Sequence, residues 1–283
     1  MLVKLEQVQK TYDRFQLDCS MKVDEGCVTA LIGPNGAGKS TTFKAILGLI
    51  HPEGGSLEVL GKPVGEIGIS DREQLGVVLS DSGFSGYLTI RDVIPVLEHM
   101  YSKFQKEEFL NKCERFELPL NKKIKDFSTG MKAKLKIISA MCHEARILIL
   151  DEPTAGLDVL VRGEVLDMIR EYMIPGNRSV LISSHISSDL EGLCDDFYLI
   201  DQGRIIMHEE TDVLLDEYGL LKVTEKQYEK LDKTYLLKKK KESYGYSLLT
   251  DQKQFYEENA PGITIEKGNI DEAIEMMIRG EAV

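Results

Sequence analysis

A glycine-rich segment near the start of the chain constrains the fold more than any other feature of the sequence. Residues 33–40 read GPNGAGKS and match the pattern G-x-x-x-x-G-K-[ST] completely. A strand-like apolar run, Cys27 to Ile32, comes before the segment, and a helix-like run, Phe43 to Leu49, follows it. Because a phosphate-binding loop needs this order of strand, glycine loop and helix, the sequence predicts a nucleotide-binding α/β fold.

Each residue type in the segment suits phosphate binding. Glycines permit positive φ angles and leave room for backbone N–H groups around a phosphate, towards which the following helix directs its positive end. We expect Lys39 to reach the β- and γ-phosphates and the Ser40 hydroxyl to ligate Mg²⁺. A glycine-rich turn with a chance lysine is the alternative, and with Gly near ~7% of residues its odds are on the order of one in a hundred. The predicted nucleotide-binding residues of the loop are Gly33, Pro34, Asn35, Gly36, Ala37, Gly38, Lys39, Ser40 and Thr41.

Two adjacent carboxylates follow a second apolar run, Ile147–Leu150. A buried strand that ends in two carboxylates suits a site where one lies near a metal ion and the other near a water molecule. We expect Asp151 to hold Mg²⁺, directly or through water, and Glu152 to polarise the attacking water as general base. An acidic turn in solvent is the alternative interpretation, and the phosphate-loop motif upstream disfavours it.

Strand-like and helix-like runs alternate over residues 1–210. Helical periodicity between about Thr89 and Lys123, and a second predicted helix over Met131–Met141, indicate a helical insertion at about 84–143. This alternation predicts a largely parallel sheet covered by helices. Further strand-like runs are Ser56–Leu60, Leu75–Leu79, Ser179–Ser183 and Phe197–Ile200.

The composition changes after about Gly203, where Lys, Glu and Tyr become frequent and no motif is recognisable. We expect a small α+β accessory domain over 211–283, following a nucleotide-binding domain over 1–210. The run Lys238–Lys241 is interpreted as a solvated charge run, with contact to acidic lipid headgroups as the alternative. The strands and helices predicted in this region are Tyr244–Leu249, Gln252–Glu258, Ile263–Glu266 and Asn269–Arg279.

Composition excludes some classes of function. The formal net charge is −12, from 35 basic and 47 acidic residues, which disfavours a general nucleic-acid binder because phosphate contacts need excess Lys and Arg. The five cysteines include no CxxC pair, so neither a zinc site nor a disulfide framework is indicated. Every apolar run is far shorter than the ~20 residues that span a bilayer, and the N-terminus lacks the apolar stretch of a signal peptide. We therefore expect any membrane role to come through a partner protein.

Over roughly residues 1–210 the chain resembles the ATP-binding subunits of ABC transporters. Residues 127–131 (FSTGM) resemble the family signature LSGGQ, residues 153–158 (PTAGLD) resemble its D-loop, and residues 183–185 (SSH) resemble its switch histidine. Tyr12 stands where the family places an aromatic residue that stacks on adenine. The elements occur in the family's order, which is more specific than any one of them.

The resemblance implies a fold and a reaction. The fold is α/β, a P-loop NTPase with a mostly parallel core sheet, an antiparallel β subdomain, a helical insertion and a small C-terminal α+β appendage. The reaction is hydrolysis of ATP with Mg²⁺ in a head-to-tail dimer, in which Ser128 and Gly130 contact the ATP held by the opposite subunit. His185 is expected to contact the γ-phosphate and hold the attacking water; alone it would be an ordinary surface histidine, as Tyr12 would be a packing residue.

Two departures from the family pattern stand out. The signature has Thr129 for its first glycine and Met131 for its glutamine, while Ser128 and Gly130 keep the hydroxyl and the open backbone. The family's Q-loop glutamine should lie near residues 79–81, where none is present. Ser80 is the aligned residue and is assigned to the metal site in its place, with its neighbour Asp81 as the alternative.

The layout is similar to bacterial ABC-2-type exporters of drugs, peptides or antibiotics. This similarity implies a separate integral-membrane permease, a second copy or paralogue of the ATPase, and a position on the cytoplasmic face of the membrane. Residues 83–87 (GFSGY) are expected either to dock a cytoplasmic helix of the permease or to pack locally. The alternatives are a soluble ABC ATPase that acts on nucleic acid or ribosomes, and a degenerate ATP-binding cassette with a regulatory role.

Overall fold

The computed structural model describes residues 1–185 and 189–283, and these residues form two β-sheets with helices packed around them. The strands of the large sheet are β1 (Val3–Tyr12), β2 (Phe15–Val23), β3 (Val28–Ile32), β4 (Gly54–Val59), β5 (Lys62–Pro63), β6 (Leu75–Val78), β7 (Ile147–Asp151), β8 (Ser179–Ser184), β9 (Asp196–Asp201) and β10 (Arg204–Glu210). The strands of the small sheet are β11 (Gly219–Val223), β12 (Leu236–Glu242), β13 (Gly245–Thr250) and β14 (Thr264–Lys267). The helices are α1 (Lys39–Ile46), α2 (Ile69–Arg72), α3 (Ile90–Met100), α4 (Lys106–Arg115), α5 (Thr129–Met141), α6 (Val159–Met173), α7 (Thr211–Glu217), α8 (Glu225–Lys230), α9 (Lys253–Asn259) and α10 (Ile270–Arg279).

The large sheet has the order β5-β4-β1-β2-β10-β9-β3-β8-β7-β6. Strands β9, β3, β8, β7 and β6 run parallel to one another, and every residue of β3, β7 and β8 is buried, as expected for a sheet covered by helices on both faces. Strands β5, β4, β1 and β2 pair antiparallel at the other end. The predicted α/β fold, with a mostly parallel core and an antiparallel part, is confirmed.

Helix α1 begins at Lys39, four residues before the predicted start at Phe43. Its N-cap residue is Gly38, whose φ of 119° lies in a region that a side chain disfavours. The lysine and the serine of the glycine-rich motif therefore stand in the first turn of the helix, where free backbone N–H groups are concentrated.

Helices α3, α4 and α5 lie between β6 and β7, within the interval predicted for the helical insertion. Helix α3 starts with a capping box in which the Thr89 hydroxyl accepts from the Asp92 backbone N–H and the Asp92 carboxylate accepts from the Thr89 N–H. Buried side chains such as Leu97, Phe109 and Leu135 join the three helices to the core of the sheet. The limits 84 and 143 for this subdomain stay a prediction.

The C-terminal region forms the small antiparallel sheet, in the order β12-β13-β11-β14, with α8 and α9 enclosing a core of its own. Buried residues from this region also extend into the core of the large sheet's helices; they are Leu220, Leu249, Ile270, Ala273 and Met276. Because the two regions share buried apolar side chains, the division between 210 and 211 remains a proposal.

Lys238–Lys241, interpreted from the sequence as a solvated charge run, lie in a strand whose lysine side chains keep contact with solvent, Lys240 at 35% and Lys241 at 60% exposure. These lysines lie in β12, the edge strand of the small sheet, and three of the four are partly buried. The Lys241 side chain pairs with Glu225, and Lys240 pairs with Glu242 and Glu275. Charged residues on an edge strand discourage pairing with the edge of another chain, which gives the lysines a structural role.

All five cysteines are free thiols, as the sequence predicts. Burial raises the pKa of Cys113 and of Cys142 to about 12, so both behave as small apolar core residues. Within residues 1–185 and 189–283, no helix combines the length and the apolar character needed to cross a bilayer.

Candidate active site

The glycine-rich loop turns tightly from the end of β3 into α1. A Cβ atom on Gly33 would lie 2.2 Å from the Ile200 carbonyl oxygen, so only glycine fits there. The loop bounds a cavity of about 210 Å³, which is open to solvent on the side away from the sheet. Its shape and its ring of backbone N–H groups fit a polyphosphate. The residues that line it are Phe15, Pro34, Asn35, Gly36, Gly38, Lys39, Ser40, Thr41 and Glu152.

The Lys39 side chain folds back onto the glycine-rich loop. Its side chain is only 6% exposed, and its ammonium group donates to the carbonyl oxygens of Gly33 and Pro34 at 2.6 and 3.3 Å. The same nitrogen lies 3.2 Å from Glu152 Oε1. That oxygen is buried and, among the described residues, has the ion pair with Lys39 but no hydrogen bond of good geometry. The positive charge of Lys39 therefore lies directly beside this buried oxygen.

A set of oxygen ligands surrounds the carboxylate at the end of β7. The hydroxyls of Ser40 and Ser80 donate to Asp151 Oδ2 at 2.8 and 3.2 Å. The structure thus brings together all three residues predicted for the metal site. One carboxylate and two hydroxyls form a hard, all-oxygen donor set with room for phosphate and water oxygens, which fits Mg²⁺. Asp81, the alternative to Ser80, instead pairs with Lys44 at 3.7 Å.

Ser183, which sequence reasoning did not assign, organises both carboxylates. Its hydroxyl donates to Asp151 Oδ1 at 2.7 Å and accepts from the Glu152 backbone N–H at 3.0 Å. The two strands run parallel as neighbours, and Asp151 is paired in register with Ser183. Because the carboxyl ends of adjacent parallel strands meet, the position of Ser183 at the end of a predicted strand was the available signal.

Glu152 has a strained backbone and lies between Lys39 and His185. Its φ is 51°, a left-handed conformation that is uncommon for a non-glycine residue and is found preferentially at functional sites. His185 Nδ1 lies 2.6 Å from Glu152 Oε2, on the opposite side of the carboxylate from Lys39. A carboxylate held in this way can accept a proton from water while the flanking cation faces the phosphate. His185 directly precedes residues 186–188, which lie outside the described part of the chain.

The region predicted to stack on adenine contains two aromatic residues, Tyr12 and Phe15. Tyr12 ends β1 and is 44% exposed, and its ring centroid lies 6.4 Å from that of Phe15. It is Phe15, the first residue of β2, that lines the phosphate-loop cavity, with its ring tip near the Gly38 backbone. Sequence reasoning missed Phe15; the aromatic pair Tyr12 and Phe15 across a two-residue turn was the signal for it.

The signature residues lie at the N-terminus of α5, and neither of them lines the phosphate-loop cavity. The exposed Ser128 is the N-cap, and its hydroxyl accepts from the Met131 N–H at 3.2 Å. Gly130 packs on the next helix, because a Cβ there would lie 2.8 Å from Val161 Cγ1. The helix start therefore points its free N–H groups at solvent rather than at the loop of its own chain.

Comparison with known proteins identifies the family. A family model described as ABC transporter matches residues 17–155. The chain is 33% identical over 222 residues to the Nod factor export ATP-binding protein I of Rhizobium meliloti. The alignment covers 76% of this chain and 66% of that relative. The relative of the same name from Burkholderia pseudomallei (strain 1710b) is 30% identical over 221 residues, covering 76% of this chain and 72% of the relative. The chain belongs to the ABC transporter family.

Solved structures agree with the assignment. The ATP-binding subunit of an ABC transporter has a TM-score of 0.67 and 29% identity, covering 76% of this chain and 92% of that structure. A dimeric ATP-binding cassette in a post-hydrolysis state, bound to ADP and Pi, has a TM-score of 0.66 at 20% identity, covering 74% and 99%, and supports the fold alone. The chain is thus an ABC ATPase and binds ATP. The glycine-rich loop, the paired carboxylates Asp151 and Glu152, and His185 lie together in one site of this chain.

Proposed function

We propose that this chain is the ATP-hydrolysing subunit of a membrane exporter, working in a head-to-tail dimer with a second copy or a paralogue. One observation carries the proposal. Glu152 contacts both Lys39 and His185 beside the Ser40–Asp151 pair, so the groups proposed for phosphate binding, water activation and metal binding form one cluster. A degenerate cassette with a regulatory role would not need Glu152 held between two such neighbours.

The reaction is the hydrolysis of ATP to ADP and phosphate. Backbone N–H groups of the glycine loop and the start of α1 bind the phosphates, and Lys39 stabilises negative charge on the transferring group. The oxygen atoms of Ser40, Asp151 and Ser80 would hold Mg²⁺. The ion would neutralise part of the phosphate charge. Glu152 orients the attacking water and accepts its proton, while His185 keeps the carboxylate in position and faces the γ-phosphate.

The second ATP-contacting surface comes from another chain. Ser128 and Gly130 lie at the start of α5, and among the described residues that line the phosphate-loop cavity the only helix start is that of α1. Placing that helix end on the γ-phosphate of a partner completes both sites of a symmetric pair. Loss of the γ-phosphate then removes contacts that exist in the closed state alone, which is the differential affinity that a switch requires.

The names of the relatives support a proposal for the partner of this chain and for its location in the cell. The proteins from Rhizobium meliloti and Burkholderia pseudomallei carry the name Nod factor export ATP-binding protein. An export role needs a separate membrane permease, which would hold this chain on the cytoplasmic face of the membrane. The cargo class stays a peptide, a drug or an antibiotic. A soluble ATPase acting on nucleic acid or ribosomes is the second candidate, and the formal net charge of −12 disfavours it.

Gel filtration of the Glu152→Gln chain with and without Mg-ATP tests the proposal. Loss of the general base is expected to lower turnover by about 10²–10³-fold while ATP binding persists, so the closed dimer accumulates. A shift from monomer to dimer only with Mg-ATP is the expected result. The double variant Glu152→Gln, Lys39→Ala is the matched control and should stay monomeric. Unchanged turnover of Glu152→Gln would contradict the assignment of the base.

A further inference from the structure

The C-terminal region is built from two strand–helix–strand units in succession. Strand β11 is followed by α8 and β12, and β13 is followed by α9 and β14. With the sheet order β12-β13-β11-β14 and antiparallel pairing throughout, this is the β-α-β-β-α-β arrangement of ferredoxin-like units. Because crossover connections have one hand, α8 and α9 lie on the same face of the small sheet.

The two faces of the small sheet belong to different cores. Side chains alternate between the faces along a strand. Leu220 and Leu249 join the core that the small sheet shares with the helices of the large sheet. Leu221, Val223 and Leu248 join a separate core under α8 and α9. The face that carries the two crossover helices is therefore turned away from the nucleotide-binding region.

A cavity of about 300 Å³ lies between α8 and α9 on this face. The helices have only six and seven residues, about two turns each, so they leave part of the face between them uncovered. A volume of this size lies at the lower end of the range for small-molecule sites. The apolar side chains that line the cavity are Leu231, Phe255, Tyr256, Ala260, Pro261 and Ile263.

The polar groups in the wall of this cavity are bonded within the protein. The Tyr256 side chain is fully buried, and its hydroxyl donates to the Asp232 carbonyl oxygen at 2.9 Å. The Gln227 amide nitrogen donates to the Gly262 carbonyl oxygen at 3.3 Å, which joins α8 to the segment after α9. The wall therefore offers a ligand mainly apolar surface.

Two lysines give the rim of the cavity a positive charge. Lys226 and Lys230 line the cavity, are exposed, and stand four residues apart on one side of α8. Among the residues that the structure describes, neither forms an ion pair, whereas the nearby Lys241 pairs with Glu225 of the same helix. Two ammonium groups thus stand beside apolar surface with their charge available to a ligand.

The lining contains one carboxylate, that of Asp232. Its Oδ1 accepts from the backbone N–H and the hydroxyl of Thr234, at 2.9 and 2.6 Å. These bonds hold the carboxylate within its own turn. The lining keeps a net positive charge, which favours an anion over a cation.

We propose that this cavity is a binding site for a small amphipathic anion, an apolar body that ends in a carboxylate. The apolar body replaces water over Phe255 and Tyr256, and the carboxylate lies at the rim beside Lys226 and Lys230. Burial of apolar surface supplies most of the affinity, while the two exposed ammonium groups set the preferred sign of charge.

A single fluorophore can report on the cavity, because the chain contains no tryptophan. Tyr235 is 41% exposed and does not line the cavity, and its ring centroid lies 4.8 Å from that of Phe255. Titration of the full Tyr235→Trp chain with octanoate measures the affinity. Octanamide and octylammonium are the neutral and cationic counterparts of the same chain length. Phosphatidylglycerol vesicles form a separate arm, which measures binding to an anionic membrane surface.

Three variants in this single-tryptophan background test the site. Lys226→Gln with Lys230→Gln removes both rim charges. The matched control, Lys122→Gln with Lys123→Gln, removes two exposed lysine charges that do not line the cavity. Ala260→Phe fills the cavity. Thermal melts confirm that each variant folds.

We expect octanoate to bind about fivefold more tightly than octanamide, and octylammonium to bind most weakly. The rim variant should lose this preference, with octanoate weakened about fivefold and octanamide within about twofold, while the control changes neither. Ala260→Phe should weaken both at least about tenfold. Equal binding of the three probes, or octanoate binding that persists in Ala260→Phe, would overturn the inference. A fluorescence change with vesicles and none with free octanoate would also overturn it, in favour of a membrane-binding surface.

Discussion

The two regions that we propose contact ATP differ in how far each is complete within one chain. Around the phosphate loop, every predicted catalytic side chain already has a partner: Lys39 and His185 flank Glu152, and hydroxyls surround Asp151. The start of α5 has only its own cap, the exposed Ser128. In the proposed dimer, one region is half of an active site whose side chains already contact one another, and the other is a surface that a second chain would complete.

The difference has a physical cause. The carboxyl ends of β3, β7 and β8 meet at one edge of a buried parallel sheet, so their side chains are brought into contact by the fold itself. The start of α5 belongs to the helical insertion, whose position relative to that edge leaves its free N–H groups in solvent. The side chains around the phosphate loop are thus already in position where charge develops during hydrolysis. In the proposed dimer, the contact between the two chains forms when ATP binds.

Mixing two inactive chains would test the comparison most strongly. Ser128→Asp keeps a good helix cap but adds a negative charge where a partner's γ-phosphate would lie, so we expect about a 10²-fold loss of turnover. Ser128→Asn, which keeps the cap without the charge, is the control. A mixture of Ser128→Asp and Lys39→Ala chains forms mixed dimers with one intact site, so turnover should recover to about a quarter of the unaltered level. No recovery on mixing would break the assignment of Ser128 to the opposite site.

Replacing Ser183 would test whether this residue positions Asp151 and Glu152 beside the phosphate loop. Ser183→Ala removes the hydroxyl that joins Asp151 to the Glu152 backbone, so we expect about tenfold lower kcat and a higher half-saturating Mg²⁺ concentration. Ser179→Ala, on the same strand, loses buried bonds to Gly26 and Asp24 far from the site. It should lower stability without changing the Mg²⁺ dependence. If both variants respond alike to Mg²⁺, the organising role of Ser183 is wrong.

The smallest expected effect concerns the wall of the phosphate-loop cavity. Phe15→Ala should raise KM for ATP by about fivefold with little change in kcat, because a base–aromatic contact at the weak end of its range contributes about 1 kcal/mol. Tyr12→Ala measured in parallel separates the two rings. A raised KM in Tyr12→Ala alone would return the adenine platform to Tyr12, as the sequence predicted.

Much of the fold was readable from the chain. The strands Ile147–Leu150 and Ser179–Ser183 were each predicted to within one residue of β7 and β8, since long apolar runs bounded by polar residues leave few alternatives. Strands β2, β5, β10, β11 and β12 were not predicted. The lysine-rich β12 was missed because charge dominates its composition, while pairing with β13 decides its conformation.

By itself the sequence determined the phosphate loop, the paired carboxylates and the family, because each depends on residues close together in the chain. Only the tertiary structure decided which distant side chains share a site. Ser183 reaches Asp151 because β7 and β8 are neighbours in register, and Phe15 reaches Gly38 because β2 folds back over the loop.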